Sequence, residues 1–250
     1  MKRDFTKYMY ESLLKLLLNK GYAIRTFEQY LSDNKINKFV ILRHDVDKKP
    51  ENALIMAQLE NQFGIKASYY FRIVKHSNDP KIIESIAELG HEIGYHYEDL
   101  NLAKGDYGLA IDNFEKNLNY FRKYYPIKTI CMHGSPLSKW DNRLIWNNID
   151  YRDYGILGEP YFDIDFNKVI YLTDTGRKWN ATNENIRDKV NTNFAFDFKS
   201  TFDVIDAIEK KELPDNVMIN VHPQRWTNNK IFWLNELVMQ KIKNFIKRYI

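Results

Sequence analysis

The sequence predicts an α/β chain in which a parallel sheet is wrapped by helices. Two observations carry this expectation. Strand-like apolar runs and helix-period segments alternate at least four times along the 250 residues, the order expected of parallel strands joined by crossover helices. The residues with chemical potential, Asp45, Asp47, His96 and His133, each follow such a run, where parallel α/β folds gather their chemistry.

The elements follow in order. Thr6 to Leu18 places Met9, Leu13, Leu14, Leu17 and Leu18 at helical spacing, with Gly21 as a cap. Phe39 to Leu42 is a buried strand that runs into RHDVD, Arg43 to Asp47. Pro50 opens a helix carrying Leu54, Met56, Leu59 and Phe63 and closed by Gly64. A strand over Ala67 to Ile73 comes next, then a helix capped by Asp79 with Ile83, Ile86 and Ala87 buried and Gly90 as its stop. His91 to His96 is a strand; Asp106 opens a helix with Leu109, Phe114, Leu118 and Phe121 on one face; Lys128 to Met132 is a short strand. Loops with short strands are expected from Ser135 to Asp197, and a buried strand over Val217 to Val221 delivers His222, Gln224, Arg225 and Trp226. Phe232 to Tyr249 reads as a helix packed on the barrel through Leu234, Leu237, Val238, Phe245 and Ile246. Its basic side would be solvated, an anionic membrane surface being the other use for such a helix.

No Pro/Gly/Ser-rich linker divides the chain, so one domain over residues 1–250 is expected, with terminal helices at about 6–20 and 231–249 packed on it. Apolar content of 44%, with 15% aromatics, is ample for a core. A net charge of +4 without a basic tract argues against nucleic acid. The single cysteine, Cys131, excludes an intrachain disulfide and a cysteine-rich zinc site, and reads as a small buried strand residue. Glu11 and Lys15 interrupt the apolar residues of the N-terminus, so neither a signal peptide nor a membrane span is read there, and a cytoplasmic location is the expectation.

In RHDVD, strand alternation points Asp45 and Asp47 the same way. Two carboxylates held close repel, and a metal, a shared proton or a cationic partner relieves this; a metal is the leading expectation. The bland alternative has the pair capping the next helix and pairing with Arg43 or Lys48. His44 and His91 read as structural, because alternation turns each away from its motif partner.

RHDVD, then GHEIGYH over Gly90 to His96, then a late strand ending in His222, resembles the polysaccharide deacetylase superfamily of carbohydrate esterases. The resemblance spans Val40 to Trp226. It implies a distorted, incomplete (β/α) barrel of about seven parallel strands. It also implies Asp45 as base, Asp47 and His96 as metal ligands and His222 as acid. The family's first motif usually reads TFDDG, and Val46 here separates the two aspartates. The family also places another histidine four residues after the first, where this chain has Leu100. Glu98 is the preferred replacement ligand, with Asp99 and His133 as competitors. Zinc is the expected ion, with manganese, cobalt or nickel as alternatives. In YLTDTGRKW, Asp174 would hold His222 in the right tautomer and Arg177 would pair with Asp45 or an anionic substrate group. HGSP, His133 to Pro136, either faces the site or satisfies a loop.

Candidate substrate-binding residues are Arg43, Arg177, Trp179, Arg225 and Trp226, since arginine and aromatic faces suit carbohydrate. The expected activity is removal of an acyl group, acetyl first, from an N-acylated sugar or glycan precursor in surface-polysaccharide metabolism. A non-hydrolysing glycan-binding scaffold is the alternative. A third reading, a metal-dependent glycosyltransferase, rests on Asp163 and Asp165 in YFDIDF and lacks any Gly-rich phosphate loop.

Overall fold

The structure, a computed structural model, describes residues 3–33, 35–135, 138–179 and 188–246. Pro136 of the HGSP turn and Lys247, Arg248 and Tyr249 of the expected last helix lie outside the described residues. The strands are β1 Ala23–Arg25, β2 Phe39–Val46, β3 Ser68–Phe71, β4 Glu92–Tyr97, β5 Ile130–Met132, β6 Ile170–Thr173 and β7 Asn216–Val221. The helices are α1 Lys7–Asn19, α2 Phe27–Ser32, α3 Pro50–Gln62, α4 Pro80–Glu88, α5 Asp99–Leu102, α6 Tyr107–Phe121, α7 Pro160–Asp163, α8 Thr201–Glu209 and α9 Lys230–Ile246.

Every strand pair is parallel, and the order is β5-β4-β3-β2-β7-β6. β1 lies along the first half of β2, and β3 along the second half. The terminal strands β5 and β6 are not paired with one another among the described residues, so the sheet curls into a half-barrel, the incomplete (β/α) barrel expected. The short strands β1 and β6 are not distinguishable in the sequence pattern, since three or four residues carry too little periodicity.

β2 is buried along its whole length, as a central parallel strand must be. Its alternation divides two environments. Val40, Leu42 and Val46 join the main core under the helices, whereas Phe39 and Ile41 join Phe27, Ile164, Phe166, Val169 and Met218 in a smaller cluster. Arg43 and Asp45 continue the Phe39/Ile41 side of the strand, so polar residues stand above an apolar floor. On the helix side, Glu60 of α3 receives the hydroxyls of Tyr10 at 2.5 Å and Tyr69 at 2.7 Å, and lies 2.7 Å from His44 Nε2. His91 accepts the Ala67 N–H at Nδ1 and donates from Nε2 to Ala57 O. Both histidines are fully buried and turned away from the barrel interior.

Two expectations about helix faces need correction. α6 buries Ala110, Phe114, Leu118 and Phe121 and leaves Leu109 exposed, one turn in from the Asp106 cap. More consequentially, α9 does not pack through most of its expected apolar residues: Leu234, Val238, Phe245 and Ile246 are exposed, Leu237 is half-buried, and its buried residues are Glu236 and Gln240. The polar face is held inward by two hydrogen bonds, Asn244 Nδ2 to Gly176 O at 2.9 Å and Trp233 Nε1 to Asp4 O at 2.6 Å.

Gly94 shows how tightly the interior is filled. A Cβ there would collide with the Tyr70 ring and press on Thr129 O, so the residue is set by space rather than by backbone angle. Gly94→Ala is therefore expected to cost about 1–3 kcal/mol of stability by overpacking. Chemical denaturation checks this, and an unchanged midpoint would show that the Tyr70 ring yields freely.

Candidate metal centre

The site is built on the C-terminal ends of β2, β4, β5 and β7. Asp45, on the last turn of the pleat in β2, receives Arg43 Nε at 2.7 Å and Nη2 at 2.6 Å, one on each oxygen. Asn220 Nδ2 of β7 adds a bond to Oδ2 at 3.0 Å. The Arg43 guanidinium is buried, 5.9 Å from the Tyr70 ring centre and 5.3 Å from that of Tyr161. Burial opposes the charge on Asp45, but Arg43 and then His96 outweigh it and hold the carboxyl well below the usual range.

Asp47 stands just beyond the strand. Its Oδ2 accepts from Gln224 Nε2 at 3.1 Å, while its buried Oδ1 has no hydrogen-bond partner. That orphaned oxygen faces two imidazoles, His133 Nε2 at 3.5 Å and His96 Nε2 at 3.7 Å. A third, His222 Nε2, lies 3.9 Å from Oδ2.

Both nearer imidazoles are fixed by their other nitrogen. His96 Nδ1 donates to Cys131 O at 2.9 Å, and His133 Nδ1 donates to Glu98 Oε2 at 3.0 Å, which leaves a lone pair on each Nε2. Burial brings His96 down to about 4, so it is a neutral donor at pH 7. A buried, unpartnered carboxylate oxygen beside two imidazole lone pairs is donor chemistry that suits a divalent ion, with the three atoms more widely spread than those of Asp45, His96 and Cys131.

Glu98, the preferred third ligand on sequence grounds, does not take that position. Arg72 grips both its oxygens, Nε at 2.8 Å and Nη2 at 2.7 Å, and the carboxylate is 2% exposed. It acts through His133 instead. Asp99 faces a separate buried cluster, taking the Tyr95 hydroxyl at 2.8 Å and Asn117 Nδ2 at 2.8 Å, and burial raises it to about 6. Leu100 is buried in the core. A different group, Asp45, His96 and Cys131, also brings ligand atoms within 4.8 Å of one another. There, however, both Asp45 oxygens are already bonded, an Arg43 cation adjoins, and burial pushes the Cys131 thiol well up, away from the thiolate a metal needs.

His222 closes the other side. Its Nδ1 lies 2.6 Å from Asp174 Oδ1, and Asp174 also receives Arg225 Nη1 at 2.6 Å, Trp226 Nε1 at 2.7 Å and the His222 N–H at 3.0 Å. Burial and Arg225 lower the imidazole, but Asp174 and Asp47 more than compensate, so its pKa is raised. Beside Asp47 opens a cavity of about 200 Å³, lined on one side by Arg72, Gln224 and Arg225 and on the other by Glu236 and Gln240 of α9.

Several residues expected at the substrate are elsewhere. Trp179 and Trp226 are in the core, stacked around Phe5, with Trp179 Nε1 bonded to Thr201 Oγ1 at 3.0 Å. Arg177 does not reach Asp45; it donates to Arg225 O at 3.3 Å and lies over the Phe5 and Trp233 rings. Arg43 is committed to Asp45, whereas Arg225 bonds Asp174 and also lines the cavity beside Asp47. The second Asp pair does not converge on an ion: Asp163 takes Tyr151, Arg152 and the Glu159 N–H, while Asp165 pairs with Lys168. Arg72, missed on sequence grounds, follows directly on β3, the same end-of-strand position that marks Asp47 and His133.

Fold and site together define an α/β half-barrel with a candidate metal centre at its strand ends. No family model matches the chain, and no curated protein matches it. Among solved structures, it is similar to a carbohydrate esterase family 4 (CE4) pseudoenzyme from Bacillus anthracis, at 14% identity and TM-score 0.46 over 83% of this chain and 62% of that one. It is also similar to a family 4 carbohydrate esterase from Streptomyces lividans, at 14% identity and TM-score 0.43 over 82% and 88% of the two chains. A third is PdaA of Bacillus subtilis, a family 4 carbohydrate esterase, at 11% identity and TM-score 0.42 over 93% and 84%. The chain spans under two thirds of the pseudoenzyme's length.

Two outcomes test this geometry. Glu98→Gln should weaken zinc affinity about 10- to 100-fold by loosening His133, read by chelator competition. In the metal-free protein, Asp174→Asn should lower the His222 titration seen by NMR. A raised histidine pKa stabilises the fold fully below about 6.5 and loses that contribution as pH climbs through the folded value, so the same variant should flatten that limb of the stability profile.

Proposed function

We propose that the protein is a metal-dependent hydrolase that removes an acyl group, acetyl first, from the nitrogen of an amino sugar or glycan precursor. The observation that carries this reading is the unpartnered Asp47 Oδ1, facing His96 and His133 beside an aligned His222–Asp174 pair. Asp47, His96 and His133 would hold the ion. When bound, the ion supplies Lewis acidity, which makes a water more acidic and an acyl carbonyl more electrophilic.

The remaining work belongs to the chain. Asp45, kept ionised by Arg43 and Asn220, takes the proton of the attacking water. His222, charged through Asp174, gives its proton to the departing amine. The motif resemblance of RHDVD, GHEIGYH and His222 supports the same roles, and the small cavity suits a single sugar unit better than a long polymer segment.

One observation favours the second reading, a glycan-binding protein that does not hydrolyse. The two-point grip of Arg43 makes Asp45 a weak proton acceptor. Elemental analysis and mass spectrometry of acylated sugars separate the two. The hydrolase reading expects near-stoichiometric zinc that is lost in Asp47→Ala, His96→Ala and His133→Ala. It expects Asp45→Asn to keep the metal while turnover falls about 10²- to 10⁴-fold. Metal retained without Asp47 and His96 would refute the assignment; metal bound with no acylated sugar consumed would favour the binding protein. Asp45→Asn should also cost about 3–5 kcal/mol of stability, because Arg43 is left buried without its counter-charge, measurable by denaturant unfolding.

A further inference from the structure

The orientation of α9 is the reverse of an ordinary surface helix. Its inward face is polar, with Glu236 and Gln240 buried and Asn244 bonded to Gly176 O. Its outward face carries Ile231, Leu234, Val238, Ile242 and Ile246 at helical spacing, from 47% to 70% exposed. A helix normally turns such a stripe to the core, and a contiguous apolar face left to water marks a contact surface.

Charge identifies the occupant. Lys230 and Lys241 flank the stripe and are exposed, whereas Lys243 lines the inner cavity together with the only acid of α9, Glu236, which is buried and 4.0 Å from Lys48. The exposed face therefore offers apolar and cationic groups and no anion. A second copy would bring the same lysines and no acid from this face to meet them. An anionic lipid surface supplies both complements at once, an acyl boundary for the stripe and negative headgroups for the lysines.

We propose that α9 docks the protein on an anionic membrane surface, its 17 residues lying in the interface plane. The helix spans about 25 Å and does not cross: among the described residues, no helix is long and apolar enough to do so. The inner face of this helix lines the cavity beside Asp47, so docking places that cavity wall one helix diameter from the lipid. The docking rests on α9 alone and stands whether or not the site hydrolyses.

The test is co-sedimentation of the full chain with phosphatidylcholine vesicles, with and without phosphatidylglycerol. The wild type should partition onto the phosphatidylglycerol vesicles and hardly onto phosphatidylcholine alone. About 1 M NaCl, where the Debye length is about 3 Å, should weaken the binding. Lys230→Glu with Lys241→Glu should reduce partitioning by at least tenfold. Val238→Asp with Ile242→Asp should abolish it; both pairs are exposed, so unchanged circular dichroism and melting are expected controls. No partitioning of the wild type, or partitioning indifferent to either pair, overturns the proposal. So does a dimer by light scattering that Val238→Asp with Ile242→Asp splits while vesicles remain unbound, because the face is then a contact between copies.

Discussion

The candidate site depends on the buried ion pair of Arg43 and Asp45. These two residues share one face of β2 above the Phe39 and Ile41 floor, with water excluded from both. An isolated carboxylate in that position would be protonated rather than charged. The guanidinium meets both oxygens, and Asn220 satisfies the remaining demand on one of them, so the first carboxylate is neutralised locally. The consequence is felt two residues on. Asp47, with no cation of its own on β2, takes one amide bond from Gln224 and presents its other oxygen unpartnered to the histidines. Two aspartates that look equivalent in the sequence are thereby divided into a compensated charge and an available ligand.

Much of this order was legible in the residues, and the part that was not has physical causes. Alternation along FVILRHDV sorts interior from helix side, and it correctly turns His44 and His91 toward the helices. The long helices and buried strands carry enough periods to be read. β1 and β6 do not, because their places in the sheet are decided by pairing with β2 and β7. The same limit applies at the site. The neighbours of Asp47 come from strands separated by tens of residues, and which of them reach it depends on sheet order. His133 and Glu98 illustrate this: both lie near β4 and β5, but Arg72 arrives from β3 and captures the carboxylate, which in turn holds His133 Nδ1 and leaves its Nε2 facing Asp47.

Tryptophan and arginine misled for a related reason. Their chemistry suits sugar binding, yet in this chain most of it is consumed internally. Asp174 needs several donors to remain charged while fully buried, and Arg225, Trp226 and His222 supply them. Arg177 and Trp179 then pack around Phe5 and hold the N-terminal segment against that network. The residue types pointed to the right region: burial sets Arg177, Trp179 and Trp226 behind it, while Arg225 both holds Asp174 and lines the cavity.

The helix α9 joins these arguments. Its position beside Asp47 requires a polar face, since a cavity walled by charged groups cannot be closed by leucine and phenylalanine without stranding those groups. Glu236 and Gln240 meet that requirement. A single helix has one remaining face, and in this one it is apolar, so the polarity demanded by the site is what turns the stripe outward. The inversion is therefore a consequence of where the helix sits, and the exposed stripe must be offset by a surface outside the barrel. Glu236, Gln240 and Lys243 thus line the cavity from one side of α9, while Ile231, Leu234 and Val238 stand on the other.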